Sequence, residues 1–256
     1  MDERMKPTVE ICTGSYADCM AAFHGGAERV ELNSALSVGG LTASVAVLRR
    51  VKKETTLKVI CMVRPRAGGF CYDEAETKIM MEEARLLLEN GADGIAFGFL
   101  HADGTVHRER TLQMSELIHS FGKEAVFHRA FDVTKDPFQA MEVLLSCKID
   151  RLLTSGQRAK AMQGAELIAQ LQDRFGDRIE ILAGSGVNAQ NAGELLARTG
   201  IRQVHSSCKG YRLDPTTASE HVSYAYLDDA HAMEYDVVEE MLVRALIDAL
   251  SGSQPI

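Results

Sequence analysis

Short apolar runs and amphipathic stretches alternate along this chain. The apolar runs begin near Thr8, Arg29, Lys58, Gly94, Glu124, Arg151, Ile179 and Gln203. A small or turn-forming step, often charged, precedes several of them, as in Gly-Ala-Glu-Arg-Val-Glu-Leu (26–32) and Gly-Ala-Asp-Gly-Ile-Ala-Phe (91–97). Successive starts lie between 21 residues (Thr8 to Arg29) and 36 residues (Lys58 to Gly94) apart. A strand, a helix and two loops take about 30 residues, so the spacing predicts eight successive βα units. Runs such as Leu57–Val63 are apolar apart from Lys58, which suits parallel strands covered on both faces.

The intervening stretches have helical periodicity. Asp136-Pro137 supplies an N-cap and a first-turn proline for a stripe of Phe138, Met141, Leu144 and Leu145. Ile79, Ala84, Leu87 and Leu88 line another helix, which Gly91 ends. Asn188 is expected to cap a helix that Gly200 stops. The last helix is expected to carry Val237, Val238, Met241, Leu242, Ala245, Leu246, Ala249 and Leu250, with a frayed tail from Ser251. Eight such units close into a TIM-type (β/α)8 barrel; an open doubly wound sheet is the alternative, and the regular spacing favours closure. Residues 207–235 break the repeat and are expected to form one long loop before the last helix, over the end where barrel sites lie. No second domain boundary is visible, so 1–256 is expected to be a single domain.

Composition narrows the function. Apolar residues make up 46% and charged residues 25% of 256, as in ordinary globular proteins. The net charge of −8 argues against a dedicated nucleic-acid binder. No apolar run reaches the ~18 residues of a membrane span, and the first residues lack a signal-peptide core, so a cytoplasmic protein is expected. The six cysteines form no Cys-x-x-Cys pair and are expected to be free thiols in a reducing compartment.

In a barrel the site is built at the C-terminal ends of the strands. Those positions here hold Glu10 and Cys12, Glu31 and Asn33, Arg64 and Arg66, His128 and Arg129, Ser155, Gly184-Ser185-Gly186, and His205. Charged and polar groups at strand ends are costly unless they pair or bind something, so a ligand site is expected there. Glu10, Glu31 and His128 are candidate acid–base groups, and Arg64 is a fourth catalytic candidate. Arg64, Arg129, Ser155, Gly184, Ser185 and Gly186 are candidate anion holders, the loop glycines allowing backbone donors to approach an anion and the helix at Asn188 offering free N–H groups. Cys12, and more weakly Met62, offer soft sulfur to Cu(I), with His128 or His205 as helpers. A lone strand cysteine is ordinarily a small buried hydrophobe, so spacing alone gives copper no priority.

Several of these segments together resemble the CutC copper-homeostasis family: Glu-Ile-Cys (10–12), Arg-Val-Glu-Leu (29–32), Gly-Gly-Leu-Thr (39–42), Arg-Pro-Arg-Ala-Gly-Gly-Phe (64–70), Phe-His-Arg-Ala-Phe-Asp (127–132), Leu-Thr-Ser-Gly (153–156) and Val-His-Ser-Ser (204–207). The resemblance implies a TIM-type barrel, a cytoplasmic location, a homo-oligomer and a role in copper tolerance through Cu(I) binding. Some members of the family have a second cysteine where this chain has Asn33, so only Cys12 of that pair carries over. Two classes of function follow: Cu(I) binding and trafficking, or an enzyme acting on a small phosphorylated or carboxylated metabolite.

Overall fold

The computed structural model describes residues 7–252. Eight parallel strands close into a barrel in sequence order: β1 (Thr8–Thr13), β2 (Arg29–Leu32), β3 (Lys58–Met62), β4 (Gly94–Phe97), β5 (Glu124–Phe127), β6 (Arg151–Thr154), β7 (Glu180–Ala183) and β8 (Gln203–Ser206). β1 closes the ring against β8, with Glu10 opposite His205. Helices α1 (Tyr16–His24), α2 (Val45–Glu54), α3 (Glu74–Glu89), α4 (Arg108–Ser120), α5 (Pro137–Ser146), α6 (Ala165–Phe175) and α7 (Ala192–Thr199) follow the first seven strands in turn. α8 (Glu240–Ser251) completes the ring. The expected (β/α)8 barrel is therefore the fold, and seven of the eight strands begin at the residue the sequence marks. β7 starts at Glu180 rather than Ile179.

The main core lies between barrel and helices. Ile11, Val30, Cys61, Ile95 and Phe127 point outward into it, where they meet Cys19, Leu48, Met80 and Met114 from the helices. Inside the barrel the apolar layer is thin, namely Ile60, Met62, Ala96 and Val126. Leu153 and Leu182 alternate with Arg151 and Glu180 on the inward face of β6 and β7, while Glu10, Arg29, Glu31, Arg151, Gln203 and His205 make the rest of the interior polar. This is why the barrel can carry a charged axis.

Local chemistry explains the helix ends. Asp136 caps α5 by accepting from the N–H groups of Phe138 and Gln139. Asp73 and Glu76 exchange side-chain and backbone bonds in a capping box on α3. The stripe of α3 includes buried Met80, while Ile79 faces solvent. Gly200 ends α7 in the left-handed conformation, as expected.

Three expectations need correction. Asn188 does not open a helix: it takes part in a turn, its side chain accepting from Gln190 N–H, and α7 begins only at Ala192. The segment 207–235 is not wholly a loop. Strand β9 (Lys209–Leu213) pairs antiparallel with β10 (Glu234–Val238) in a two-stranded ribbon outside the barrel. Val237 and Val238 therefore belong to this ribbon and not to the last helix. Asp18 in the first turn of α1 fastens the ribbon, its Oδ1 accepting from Val238 N–H at 2.8 Å. The tail expected to fray falls partly on residues 253–256, outside the described residues, and Ser251 itself lies within α8. No helix among the described residues is long and apolar enough to cross a membrane.

Candidate functional site at the barrel mouth

The polar axis begins below the mouth. Arg29 Nε lies 2.7 Å from Glu10 Oε2, and Arg151 reaches Glu10 at 3.5 Å, Glu124 at 2.5 Å and Glu180 at 3.2 Å. Gln203 links this layer further, accepting from Arg29 and donating to Glu180. Arg151 is 2% exposed, so these carboxylates are what makes its burial tolerable. Arg29, Arg151, Glu124 and Glu180 lie at strand starts, the end of the barrel away from the expected site. Alternation would have reached one of them: Arg29 is two residues before Glu31 and shares its inward face.

One layer higher, His205 sits between two glutamates. Its Nδ1 is 3.0 Å from Glu10 Oε1, and its Nε2 is 3.9 Å from Glu31 Oε2. Glu31 Oε2 also accepts from Asn33 Nδ2 at 3.0 Å and lies 3.9 Å from Cys12 Sγ. Asn33 Nδ2 is 3.7 Å from the same sulfur. One donor atom from each of Cys12, Glu31 and His205 falls within 4.8 Å of the others.

Burial and charge divide the protons among these groups. Burial opposes the charge on Glu10, but Arg29, His205 and Arg151 outweigh it and hold the carboxyl well below its usual range. Burial likewise opposes the charge on His205, yet its contacts with Cys12 and Glu10 and the charge of Glu31 hold it well above the usual imidazole range. Burial raises Glu31, only partly offset by His205. Burial also raises the Cys12 thiol, which keeps its proton. The cluster is thus a carboxylate at Glu10, a cationic His205, and a thiol and carboxyl beside it that resist ionisation.

These groups open into a cavity of about 490 Å³ at the C-terminal end of the barrel. Glu31, Arg64, His128, Arg129 and His205 all line it, together with Cys12, Met62, Ser185 and Gly186. Glu10 does not; it acts on the cavity through His205. Ser155 and Gly184 are not lining residues either. The Ser155 hydroxyl is taken up by Asp132, Arg158 and Arg129, and Gly184 gives room to Leu153, whose Cδ1 would be 2.8 Å from an added Cβ. Arg129 spends its Nε on Asp132 at 2.8 Å.

Cations reach the cavity from two sides, after β3 and after β6. Arg64, 5% exposed, gives Nη1 to the carbonyls of Val38 and Gly40 and Nη2 to that of Gly68. It has no carboxylate within ion-pair distance among the described residues. Lys160, which the sequence did not single out, lies along Gly186 into the same space; an added Cβ there would meet its Cδ at 2.6 Å. The ribbon roofs the cavity with Lys209, Asp236, Val237 and Val238.

A closed parallel barrel with a buried charged cluster opening into a cavity at its C-terminal mouth defines a TIM-barrel protein. Comparison with known proteins refines this class. The chain belongs to the CutC family, whose model matches residues 7–210. It is 47% identical over 209 residues to a CutC family protein of Treponema denticola, covering 82% of this chain and 84% of that one. It is 41% identical over 204 residues to a counterpart in Mesorhizobium japonicum, covering 79% and 78%. A crystal structure named for the copper homeostasis protein CutC of Streptococcus agalactiae superposes with a TM-score of 0.74 at 29% identity, covering 78% of this chain and 98% of that one. Phosphoribosylanthranilate isomerase of Thermotoga maritima shares the fold alone, with a TM-score of 0.54 at 12% identity over 96% of this chain and 99% of that one.

Proposed function

We propose that this CutC-family barrel is an enzyme that moves a proton on a small anionic metabolite, with Glu31 and His205 as the working pair. The observation that carries the reading is His205 held between Glu10 and Glu31 at the floor of the cavity. Glu10 fixes the ring and its protonation, as an orienting carboxylate does for a catalytic histidine. The cationic His205 then presents its Nε2 proton toward the substrate, and Glu31 in its carboxylate form takes the proton removed, its raised affinity for a proton suiting that role. Arg64 and Lys160 supply the positive charge that brings an anion into a chain of net charge −8.

The test is solvent-deuterium incorporation into a panel of phosphorylated and carboxylated metabolites, followed by NMR. At least one is expected to exchange, and Glu31→Gln is expected to slow that exchange by about a hundredfold or more. No exchange and no turnover across the panel would sink the reading.

A second reading has its own observation. Cys12, Glu31 and His205 are close enough to share a metal ion, and the related Streptococcus agalactiae structure bears a copper-homeostasis name. Cys12 and His205 would be the ligands for Cu(I) as cargo, with Met62 at the same cavity. The donor set is a reluctant one, because both ligands hold protons that the metal must displace and Asn33 stands in place of a second thiol. Cu(I) titration with Cys12→Ala distinguishes this reading from the first: copper affinity that depends on Cys12, without any exchange activity, favours cargo binding.

A cytoplasmic location fits six free cysteines. Self-association belongs to the same proposal and is read by light scattering.

A further inference from the structure

Resting on the reading of the cavity as a small-anion site, we propose that the oxyanion of the ligand, a carboxylate or a phosphate, is seated on the β3–β5 wall between Arg64 and His128, with His128 acting as a neutral hydrogen-bond donor. This places the anion away from the loops after β6 and β7, and it gives His128 a holding role in place of proton transfer.

The first support is a charge without a partner. A guanidinium has five N–H donors. Arg64 spends three on backbone carbonyls, leaving two, and its Nε is buried with no partner among the described residues. Backbone carbonyls satisfy hydrogen bonds but carry no net charge. A nearly buried cation without a counter-ion is costly, and an arriving anion would remove that cost. Glu31, on the neighbouring strand β2, is engaged with Asn33, Cys12 and His205.

The second support is independent. The His128 ring is buried, and its Nδ1 accepts from Ala130 N–H at 3.2 Å. That bond fixes the proton on Nε2, which is buried with no protein partner. Burial, with Arg64 and Arg129 nearby, pushes His128 down to about 3, so the ring is neutral at physiological pH. It can therefore donate from Nε2 but cannot serve there as a base. Gly98 makes this placement possible: an added Cβ would lie 2.6 Å from His128 Cε1. Phe70 joins the two donors, with the Arg64 guanidinium 5.1 Å from its ring and the His128 ring 5.0 Å from it. Both side chains lie beside the same aromatic ring.

The experiment is calorimetric titration of the full chain with inorganic phosphate and, separately, with oxalate, so that the two arms separate phosphate from carboxylate. Wild type is expected to bind at least one saturably. Arg64→Gln and His128→Leu should each weaken binding about tenfold or more, the loss of a charged or buried hydrogen bond. His128→Gln, whose amide can donate from nearly the same place, should remain within about threefold of wild type. Because Arg64 also ties down residues 38–40 and 68, the contrast between the two His128 variants decides if Arg64→Gln fails to fold. Binding of neither anion, binding unchanged in His128→Leu, or equal loss in His128→Gln and His128→Leu would overturn the proposal. Deuterium exchange that still depends on Glu31 would then leave the proton-transfer reading standing.

Discussion

Glu10 and His205 face each other across the β1–β8 seam, and the 3.0 Å contact between Oε1 and Nδ1 joins the charged layer inside the barrel to the cavity above it. Glu10 is thus the hinge of the electrostatics: Arg29 and Arg151 approach it from below and His205 from above.

Removing that charge should be severe. Glu10→Gln leaves Arg29, Arg151 and His205 with less compensation, and breaking a buried pair costs about 3–5 kcal/mol. Urea unfolding at neutral pH measures it, and a cost below about 1 kcal/mol would contradict the network. The pair also sets a pH window. Glu10 is lowered from 4.5, so its contribution is present above that value and fades as pH falls. His205 is raised from 6.5, so its contribution is full below that value and is lost as pH rises through the raised one. Stability from this pair is expected to be greatest between about pH 4.5 and 6.5.

His128 pulls the other way. It is neutral when folded, titrating at about 3 against 6.5 for a free imidazole, so protonation of the unfolded chain destabilises the protein as pH falls below 6.5. At pH 4.5 this costs about 3 kcal/mol relative to neutral pH. His128→Gln should lose less stability than wild type between pH 7 and 4.5, as read from urea midpoints at both. Parallel losses in the two proteins would show that His128 is not the acid-sensitive group.

Copper affinity should rise with a second thiol. Asn33 Nδ2 lies 3.7 Å from Cys12 Sγ, so Asn33→Cys would bring two sulfurs together at the ends of β1 and β2. Cu(I) competition titration is expected to show at least about tenfold tighter binding than wild type, because a thiolate pair suits that ion. Unchanged affinity would place any copper elsewhere.

Gly98→Ala tests how tightly the β3–β5 wall is packed. Its Cβ would meet His128 Cε1 at 2.6 Å and Ala130 Cβ at 2.7 Å. Overpacking of this kind costs about 1–3 kcal/mol. Thermal unfolding should show the loss, and displacement of the ring should be visible in the His128 imidazole NMR signals.

The barrel was legible because short apolar-rich runs return every 21 to 36 residues with a helical stripe between them, a pattern that survives without any knowledge of contacts. Cys12, Glu31, Arg64, His128 and His205 could be placed together because they end or follow strands whose C-terminal ends must share one rim. The ribbon was not legible. Lys209, Tyr211, Arg212 and Leu213 are exposed and show no buried face, so their pairing with β10 leaves no hydrophobic period. The valines of β10 then read as the first turn of α8. Ser155 was misleading for a different reason. Its hydroxyl has the right chemistry and position in sequence, but Asp132 arrives from the preceding βα unit to use it.

The ribbon has one more consequence. The family match ends at residue 210, whereas Asp236, Val237 and Val238 reach the cavity from beyond it. Floor and ceiling are therefore encoded in separable stretches of sequence. The floor is locked by a charge network that tolerates little change, while the ceiling is a surface hairpin pinned to α1 through Asp18. On the proposed reading, changes in the hairpin would alter what enters the cavity while the charge network beneath stays as it is.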